Sequence, residues 1–318
     1  MSNIIYFVVP CYNEEAVLEV TAQKLTQKVA SLINRGVISS KSRITFVDDG
    51  SKDQTWSLIK AISTQNSLIS GVKLSRNRGH QNALLGGLMT VKDLCDAIIS
   101  LDADLQDDIE VIDQFIEKFL DEGCDVVYGV RNDRTTDTGF KRHTAQIFYK
   151  IMNKLGADVV YNHADYRLLS RRALNGLAEF KEVNLFLRGL VPLVGYKSDV
   201  VYYERHERFA GESKYPLQKM IAFAIEGITS LSVKPIRLVT TLGISVFLIS
   251  LIPLLYSFIQ WVNGNTIQGW TTLILSIWTL GGLQILCIGV IGEYIGKIYL
   301  ESKKRPRFII EEFINKVD

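Results

Sequence analysis

Asp102 and Asp104 stand one residue apart where the apolar run Ala97-Ile98-Ile99-Ser100-Leu101 ends, and Gln106 follows at the same interval. In an extended strand, residues i and i+2 project to one side, so this spacing points two carboxylates and an amide oxygen at one spot. Oxygen donors of this kind suit a hard divalent cation, Mg2+ or Mn2+, that keeps some of its waters and is shared with substrate phosphates. Taken alone, Asp-x-Asp reads as well as a solvated turn after a strand. Three further loops of uncommon composition shift the balance: Pro10-Cys11-Tyr12-Asn13-Glu14-Glu15, Asp48-Asp49-Gly50-Ser51-Lys52-Asp53 and Ser75-Arg76-Asn77-Arg78-Gly79.

The elements that must carry these loops alternate in type. Short β-rich runs cover Ile4–Pro10, Arg43–Asp48, Gly71–Leu74, Ala97–Asp102 and Val126–Val130. Helical patterns cover Glu15–Ile33, a stretch from Thr55, His80–Thr90, Ile109–Leu120 and Gly139–Leu155. This predicts an α/β domain over residues 1–195, with a mostly parallel sheet and helices on both faces. Such sheets bind ligands at the carboxyl ends of their strands, where all four loops fall. The first loop has Tyr12-Asn13-Glu14 in place of the Gly-x-Gly-x-x-Gly of a nucleotide-dependent dehydrogenase, which excludes that class.

The chain is 47% hydrophobic, and the excess is concentrated toward its end. No charge occurs from Leu238 to Val262, nor onward to Ile291. Spans over Ile236–Val262 and Thr271–Ile291 are each long enough, at about 1.5 Å per residue, to cross a core of about 30 Å. The connector from Asn263 to Gly269 is uncharged and flanked by Trp261 and Trp270. Lys234 and Arg237 precede the first span, and Lys297, Lys303, Lys304, Arg305 and Arg307 follow the second. That asymmetry predicts the N-terminal domain and both termini on the cytoplasmic side, with residues 301–318 as a cytoplasmic tail. Residues 196–235 read as a polar loop and an amphipathic juxtamembrane helix near Pro216–Val233. No cleavable leader is visible at Met1–Pro10.

A net charge of +2 decides little by itself, but the basic residues crowd the membrane side, where anionic lipid headgroups or a lipid phosphate would be; no nucleic-acid partner is expected. Cys11, Cys95, Cys124 and Cys287 form no Cys-x-x-Cys pair, and His80, His143, His163 and His206 show no zinc spacing. Gly292 and Gly296 have the spacing for close helix contact in a homo-oligomer, while Glu293 and Lys297 read as well as an i, i+4 ion pair.

Pro10-Cys11-Tyr12-Asn13-Glu14, Asp48-Asp49-Gly50-Ser51, Asp102-Ala103-Asp104-Leu105-Gln106 and Arg208-Phe209-Ala210-Gly211-Glu212-Ser213-Lys214-Tyr215 together resemble the inverting family 2 glycosyltransferases. The likeness is strongest to the polyisoprenyl-phosphate group, which holds dolichol-phosphate mannose synthases and bactoprenol glucosyltransferases, and it extends over the two spans. It implies a GT-A-type fold, a sugar-nucleotide donor and a lipid-phosphate acceptor at the inner membrane. Under that resemblance Pro10, Tyr12, Glu14 and Asp49 hold the nucleotide. Asp104 coordinates the metal, Gln106 completes its shell, and Asp102 reaches the ribose or a metal-bound water. Arg76 and Arg78 face either the pocket or solvent. Asp107-Asp108 depart from the His-Pro or Pro-Pro common in the group and are assigned no catalytic role.

Asp165, in His163-Ala164-Asp165-Tyr166-Arg167, matches the position usually given to the general base. A phosphate monoester loses its second proton near pH 6, so the acceptor needs little help from a base, and orienting the acceptor or the sugar is the alternative role. Candidate acceptor-phosphate cations are Arg131, Lys141, Arg142, Arg205, Arg208 and Lys214, among which arginine matches phosphate oxygens through its planar fork. The expected reaction moves a hexose, glucose from UDP-glucose in the first reading and mannose from GDP-mannose in the second, onto undecaprenyl or a related polyprenyl phosphate. A processive polysaccharide synthase requires a Gln-x-x-Arg-Trp motif that the chain lacks; a non-catalytic scaffold is the remaining alternative.

Overall fold

A computed structural model describes residues 2–131, 163–204, 234–263 and 269–315. The helix expected over Gly139–Leu155, the juxtamembrane helix near Pro216–Val233 and most of the connector after Asn263 lie outside the described residues. So do Lys141, Arg142, Arg205, Arg208 and Lys214.

β1 (Ile5–Cys11), β2 (Arg43–Asp48), β3 (Ile69–Leu74) and β4 (Ala97–Ser100) are rich in apolar residues and pair in parallel. Such composition belongs to strands covered on both faces. Residues alternate between two cores: Phe7, Phe46 and Ile99 point to one, Val8, Val47 and Ile98 to the other. α1 (Leu18–Asn34) closes the first core with Leu18, Ala22, Leu25, Val29 and Leu32 at helical spacing. α2 (Thr55–Gln65) and α4 (Ile112–Leu120) share that face, and α3 (His80–Val91) covers the other. Gly87 lets α3 lie close to the sheet, since a Cβ there would stand 2.5 Å from the Val47 side chain.

The remaining strands complete an eight-stranded sheet in the order β7-β5-β6-β4-β1-β2-β3-β8. β5 (Val126–Arg131) and β7 (Ser198–Tyr203) are parallel to each other; β6 (His163–Ser170) runs against both β4 and β5, and β8 (Ile310–Ile314) runs against β3. Two helices on the second face, α5 (Arg171–Ala178) and α6 (Leu187–Leu193), follow β6. The expected mostly parallel sheet is present. The three strands β6, β7 and β8 add to the reading from sequence.

α7 (Lys234–Val262) and α8 (Trp270–Lys303) occupy the two uncharged regions. Among the described residues, Leu280–Lys303 is long and apolar enough to cross a membrane by length and composition. α8 continues well past Ile291, the expected end of the second span. The segment beyond it, expected as a tail, returns to the catalytic sheet as β8.

Candidate active site

On the β1–β3 side, the polar residues of the motifs bind one another's backbones. Ser51 Oγ accepts the Asn13 N–H at 3.0 Å and Thr55 Oγ1 accepts the Glu14 N–H at 2.9 Å, while Asn13 Oδ1 accepts the Lys52 N–H at 2.9 Å. Asp53 takes the Glu15 N–H and Glu15 takes the Gln54 N–H. Asp49 is buried, and its two oxygens accept the N–H groups of Arg78 at 2.7 Å and Gly79 at 2.9 Å. Burial lifts its carboxyl above the usual range despite those two donors. Gly50, at φ +64°, lies where a Cβ would come within 2.6 Å of the Arg76 carbonyl carbon, so the second and third loops touch backbone to backbone. Pro10 is buried beneath this cradle, Glu14 is half-buried and Tyr12 is exposed at its mouth.

The metal motif differs from the extended geometry expected of it. β4 stops at Ser100, and Leu105 adopts a left-handed φ of 52°, so Asp104 sits in a turn rather than on a strand. Its Oδ1 accepts the Gln106 N–H at 3.2 Å, a local bond that an Asp offers readily to a turn. The turn is pinned at both ends: Thr21 Oγ1 donates to the Ala103 carbonyl at 2.7 Å and the Tyr166 hydroxyl to that of Asp108 at 3.0 Å. Asp102 is about one-third exposed at the side chain (33%). The donor set of two carboxylates and an amide is all oxygen, which fits a hard divalent cation. Burial first, then the charge of Asp102, pushes Asp107 up to about 6.

Asp165 reaches this turn through the antiparallel pairing of β6. Ser100 is in register with Arg167, and past the end of β4 the same direction of the two chains brings Asp165 toward Asp102. His80 Nε2, at the first residue of α3, lies 3.6 Å from Asp102 Oδ1 and 3.5 Å from Asp165 Oδ2. Arg188 donates to Asp165 from Nε at 3.4 Å and from its Nη2 at 3.1 Å, and the buried Arg167 donates to Asp165 Oδ1. Burial alone would raise the Asp165 carboxyl, but Arg188, His80 and Arg167 hold it well below the usual carboxylate range. Burial lowers His80, but Asp165 and Asp102 outweigh it and the opposing charge of Arg188 and keep the imidazole above its ordinary value.

Arg131, at the end of β5, donates from Nε to the Tyr203 hydroxyl at 3.2 Å, and its Nη2 lies 3.6 Å from Asp107 Oδ1. Tyr203 donates in turn to Asp107 Oδ1 at 2.5 Å. Asp107 Oδ2 is buried and faces no hydrogen-bond partner among the described residues.

The fold brings Asp102, Asp104, Gln106, Asp165 and Arg131 to one rim, and sets Pro10 near the end of β1 and Tyr12, Glu14 and Asp49 on the loops beside it. Arg78 is turned away, its guanidinium donating to backbone carbonyls of the C-terminal segment, while Arg76 stays exposed. The reading from sequence missed His80, Arg167, Arg188 and Asp107. Arg167 was accessible from strand alternation, two residues after Asp165. His80 carries no motif of its own in the sequence, and nothing local marks Arg188, which reaches the site from α6.

The Glycosyl transferase family 2 model matches residues 6–177, and a model described as the GtrB C-terminal hairpin matches residues 234–298. A Bacillus subtilis (strain 168) protein named as an uncharacterized glycosyltransferase is 54% identical over 97% of this chain and 91% of its own length. The bactoprenol glucosyl transferase of Shigella phage SfV is 42% identical, and a prophage bactoprenol glucosyl transferase homolog of Escherichia coli (strain K12) is 40% identical; each match covers 96% of this chain and 98% of the relative. The chain is a glycosyltransferase of family 2 with a GT-A-like α/β domain and belongs, through its C-terminal hairpin, with the bactoprenol glucosyl transferases.

Proposed function

We propose that this enzyme transfers glucose from UDP-glucose, with inversion, to a polyisoprenyl phosphate such as undecaprenyl phosphate at the cytoplasmic face of the inner membrane. The observation that carries the reading is where α8 ends. Because β8 is antiparallel to β3, with Ile310 opposite Leu74, the chain leaves its apolar helix beside the carboxyl ends of the parallel strands. This supports a lipid-borne phosphate reaching the domain on the side of the donor pocket. The naming of the relatives as bactoprenol glucosyl transferases supports the sugar and the lipid class.

In this reading Pro10, Tyr12, Glu14 and Asp49 form the nucleotide cradle, and Asp104, Asp102 and Gln106 hold Mg2+ or Mn2+. When bound there, such a cation would supply positive charge to the departing nucleoside diphosphate. An oxygen of the acceptor phosphate attacks C1 of the sugar from the face opposite the leaving group. The C1–O bond to the diphosphate breaks, and its electron pair leaves with UDP. The acceptor is already largely a dianion at neutral pH, with a second pKa of about 6, so no proton need move to Asp165. Asp165 is held ionised by two arginines and His80, a poor base but a rigid anchor for those cations. Arg131, fixed by Tyr203 and Asp107, is the described candidate for the acceptor phosphate; Lys141, Arg142, Arg205, Arg208 and Lys214 extend that set.

α7 and α8 both cross the bilayer in this proposal, with both termini cytoplasmic, because the basic flanks lie outside the pair and the connector is uncharged. The test mixes membranes holding the full chain with undecaprenyl phosphate and a panel of labelled sugar nucleotides. Labelled lipid from UDP-glucose is expected. Labelling from another donor alone would replace the sugar, and no labelled lipid from any donor would overturn the reading.

A further inference from the structure

The segment after α8 meets the catalytic rim at two loops that share no sequence neighbourhood. Arg78 donates from Nε to the Arg307 carbonyl at 2.7 Å, and its Nη2 donates to the Pro306 carbonyl. Arg307 in turn donates to the Phe180 carbonyl at 2.9 Å and the Glu182 carbonyl at 3.5 Å. Glu301, in the last turn of α8, accepts the N–H groups of Val183 at 2.9 Å and Asn184 at 2.7 Å, together with the Asn184 amide at 2.8 Å. Gln81 closes the circuit by accepting the Leu187 N–H at 2.8 Å.

Both loops end on groups of the site. Arg78 and Gly79 are the residues whose N–H groups Asp49 binds, and they lead into His80. Val183 to Leu187 lead into Arg188, which holds Asp165. The junction is itself fixed from behind. Ser75 donates to the Ile309 carbonyl at 3.0 Å, and Phe308 packs on α3, 3.3 Å from where a Gly86 Cβ would stand. Glu312 of β8 pairs with Lys60 at 2.9 Å and Glu311 with Lys73 at 2.8 Å. Neither family model, matching 6–177 and 234–298, includes the 180–188 loop or the junction.

We infer that Glu301 and Arg307 are positioning residues: the junction between α8 and β8 clasps the donor loop at Arg78–Gly79 to the loop bearing Arg188, so the membrane helix sets the geometry of the active site. Neither residue need touch substrate. The clasp turns a change at the end of α8 into a change at the donor loop and at Asp165 together, by a contiguous set of hydrogen bonds. The inference rests on the proposed donor and acceptor only for its kinetic readout.

The experiment compares full-length wild type, Arg307→Ala and Glu301→Gln in membranes or detergent by hydrogen exchange and by kinetics. Exchange at residues 75–79 should accelerate on the order of tenfold in Arg307→Ala, as expected for loss of one or two hydrogen bonds, although Arg307 donates none to those amides. Residues 183–188 should accelerate too, while β1 and β2 stay protected. Glu301→Gln should show the same pattern with a smaller change at 75–79. Transfer assays should show a raised donor KM together with a lowered kcat. Unchanged exchange at 75–79 in both variants, or acceleration spread evenly over the sheet, would overturn the clasp. Unchanged KM with activity falling only in step with folded protein would do the same. Exchange is independent of donor identity, so an inactive wild type would count against the proposed function and leave the clasp to be decided by exchange alone.

Discussion

On the β1–β3 side of the site, Asp49, Ser51, Asp53 and Thr55 spend their oxygens on backbone N–H groups of neighbouring loops. Across β4, Asp165 and Asp107 face charged or phenolic side chains: Arg167, Arg188 and His80 for the one, Arg131 and Tyr203 for the other. The first arrangement fixes the shape of a cradle and leaves little charge to move. The second stores charge in ion pairs that a phosphate or a cation can rearrange. Asp is therefore a scaffold residue in one half and an electrostatic one in the other, and substitutions should separate the halves by which kinetic constant they move.

The largest effect is expected at Asp104. Asp104→Asn should lower turnover at least ~100-fold by removing a charged oxygen donor, with the fold retained because the residue lies in a surface turn. Excess chelator should do the same to wild type, and added Mg2+ or Mn2+ should restore it. Full turnover by folded Asp104→Asn would remove the metal from this half of the site.

Next is Asp165. Asp165→Asn should lower kcat roughly 10- to 100-fold and cost about 3 kcal/mol of stability, since the buried Arg167 loses its counter-charge. The sign of its pH dependence follows from its depressed pKa. Stability from the ionised carboxylate is present above the unfolded value of 3.8 and is lost only as pH falls through its lower folded value. From about pH 5.5 to 9 the rate should therefore carry no limb from Asp165, and the mutant profile should run parallel to wild type at reduced height. Near-total loss at pH 7 with recovery at high pH would make Asp165 a base instead.

A smaller change is expected from Asp107→Asn. It leaves Tyr203 an acceptor but weakens the hold on Arg131, so the KM for lipid phosphate should rise severalfold, on the order of one charge-assisted hydrogen bond, with the donor KM unchanged. A shift in donor KM of equal size would attach Asp107 to the wrong half.

Much of the parallel sheet was legible because its strands are short apolar runs followed by polar loops, and α1 declares itself by Leu18, Leu25 and Leu32. The four motif loops could be placed for the same reason. The geometry within them could not. Whether Asp49 meets a base or the Arg78 and Gly79 N–H groups depends on how the third loop folds against Gly50. The turn at Leu105, with its positive φ, overrides the strand spacing that first drew attention to Asp104. β8 is Ile310-Glu311-Glu312-Phe313-Ile314, too short and too charged to stand out from a tail, and its pairing with β3, Leu74 with Ile310 and Gly71 with Ile314, joins distant parts of the chain that no local pattern connects. Arg188 is hidden in the same way, since only α6 brings it to Asp165.

The contrast between the two halves is tested most directly by measuring UDP affinity by calorimetry and kcat at saturating donor on the same preparations of Asp49→Asn and Asp165→Asn. The account predicts a crossover. Asp49→Asn, which frees the Arg78–Gly79 loop, should weaken UDP binding about tenfold and leave most of the turnover at saturation. Asp165→Asn should bind UDP nearly as wild type and turn over slowly. Equal loss of UDP affinity in both variants, or a collapse of saturated turnover in Asp49→Asn with UDP binding intact, would contradict the division of the site into a scaffolded cradle and an electrostatic rim.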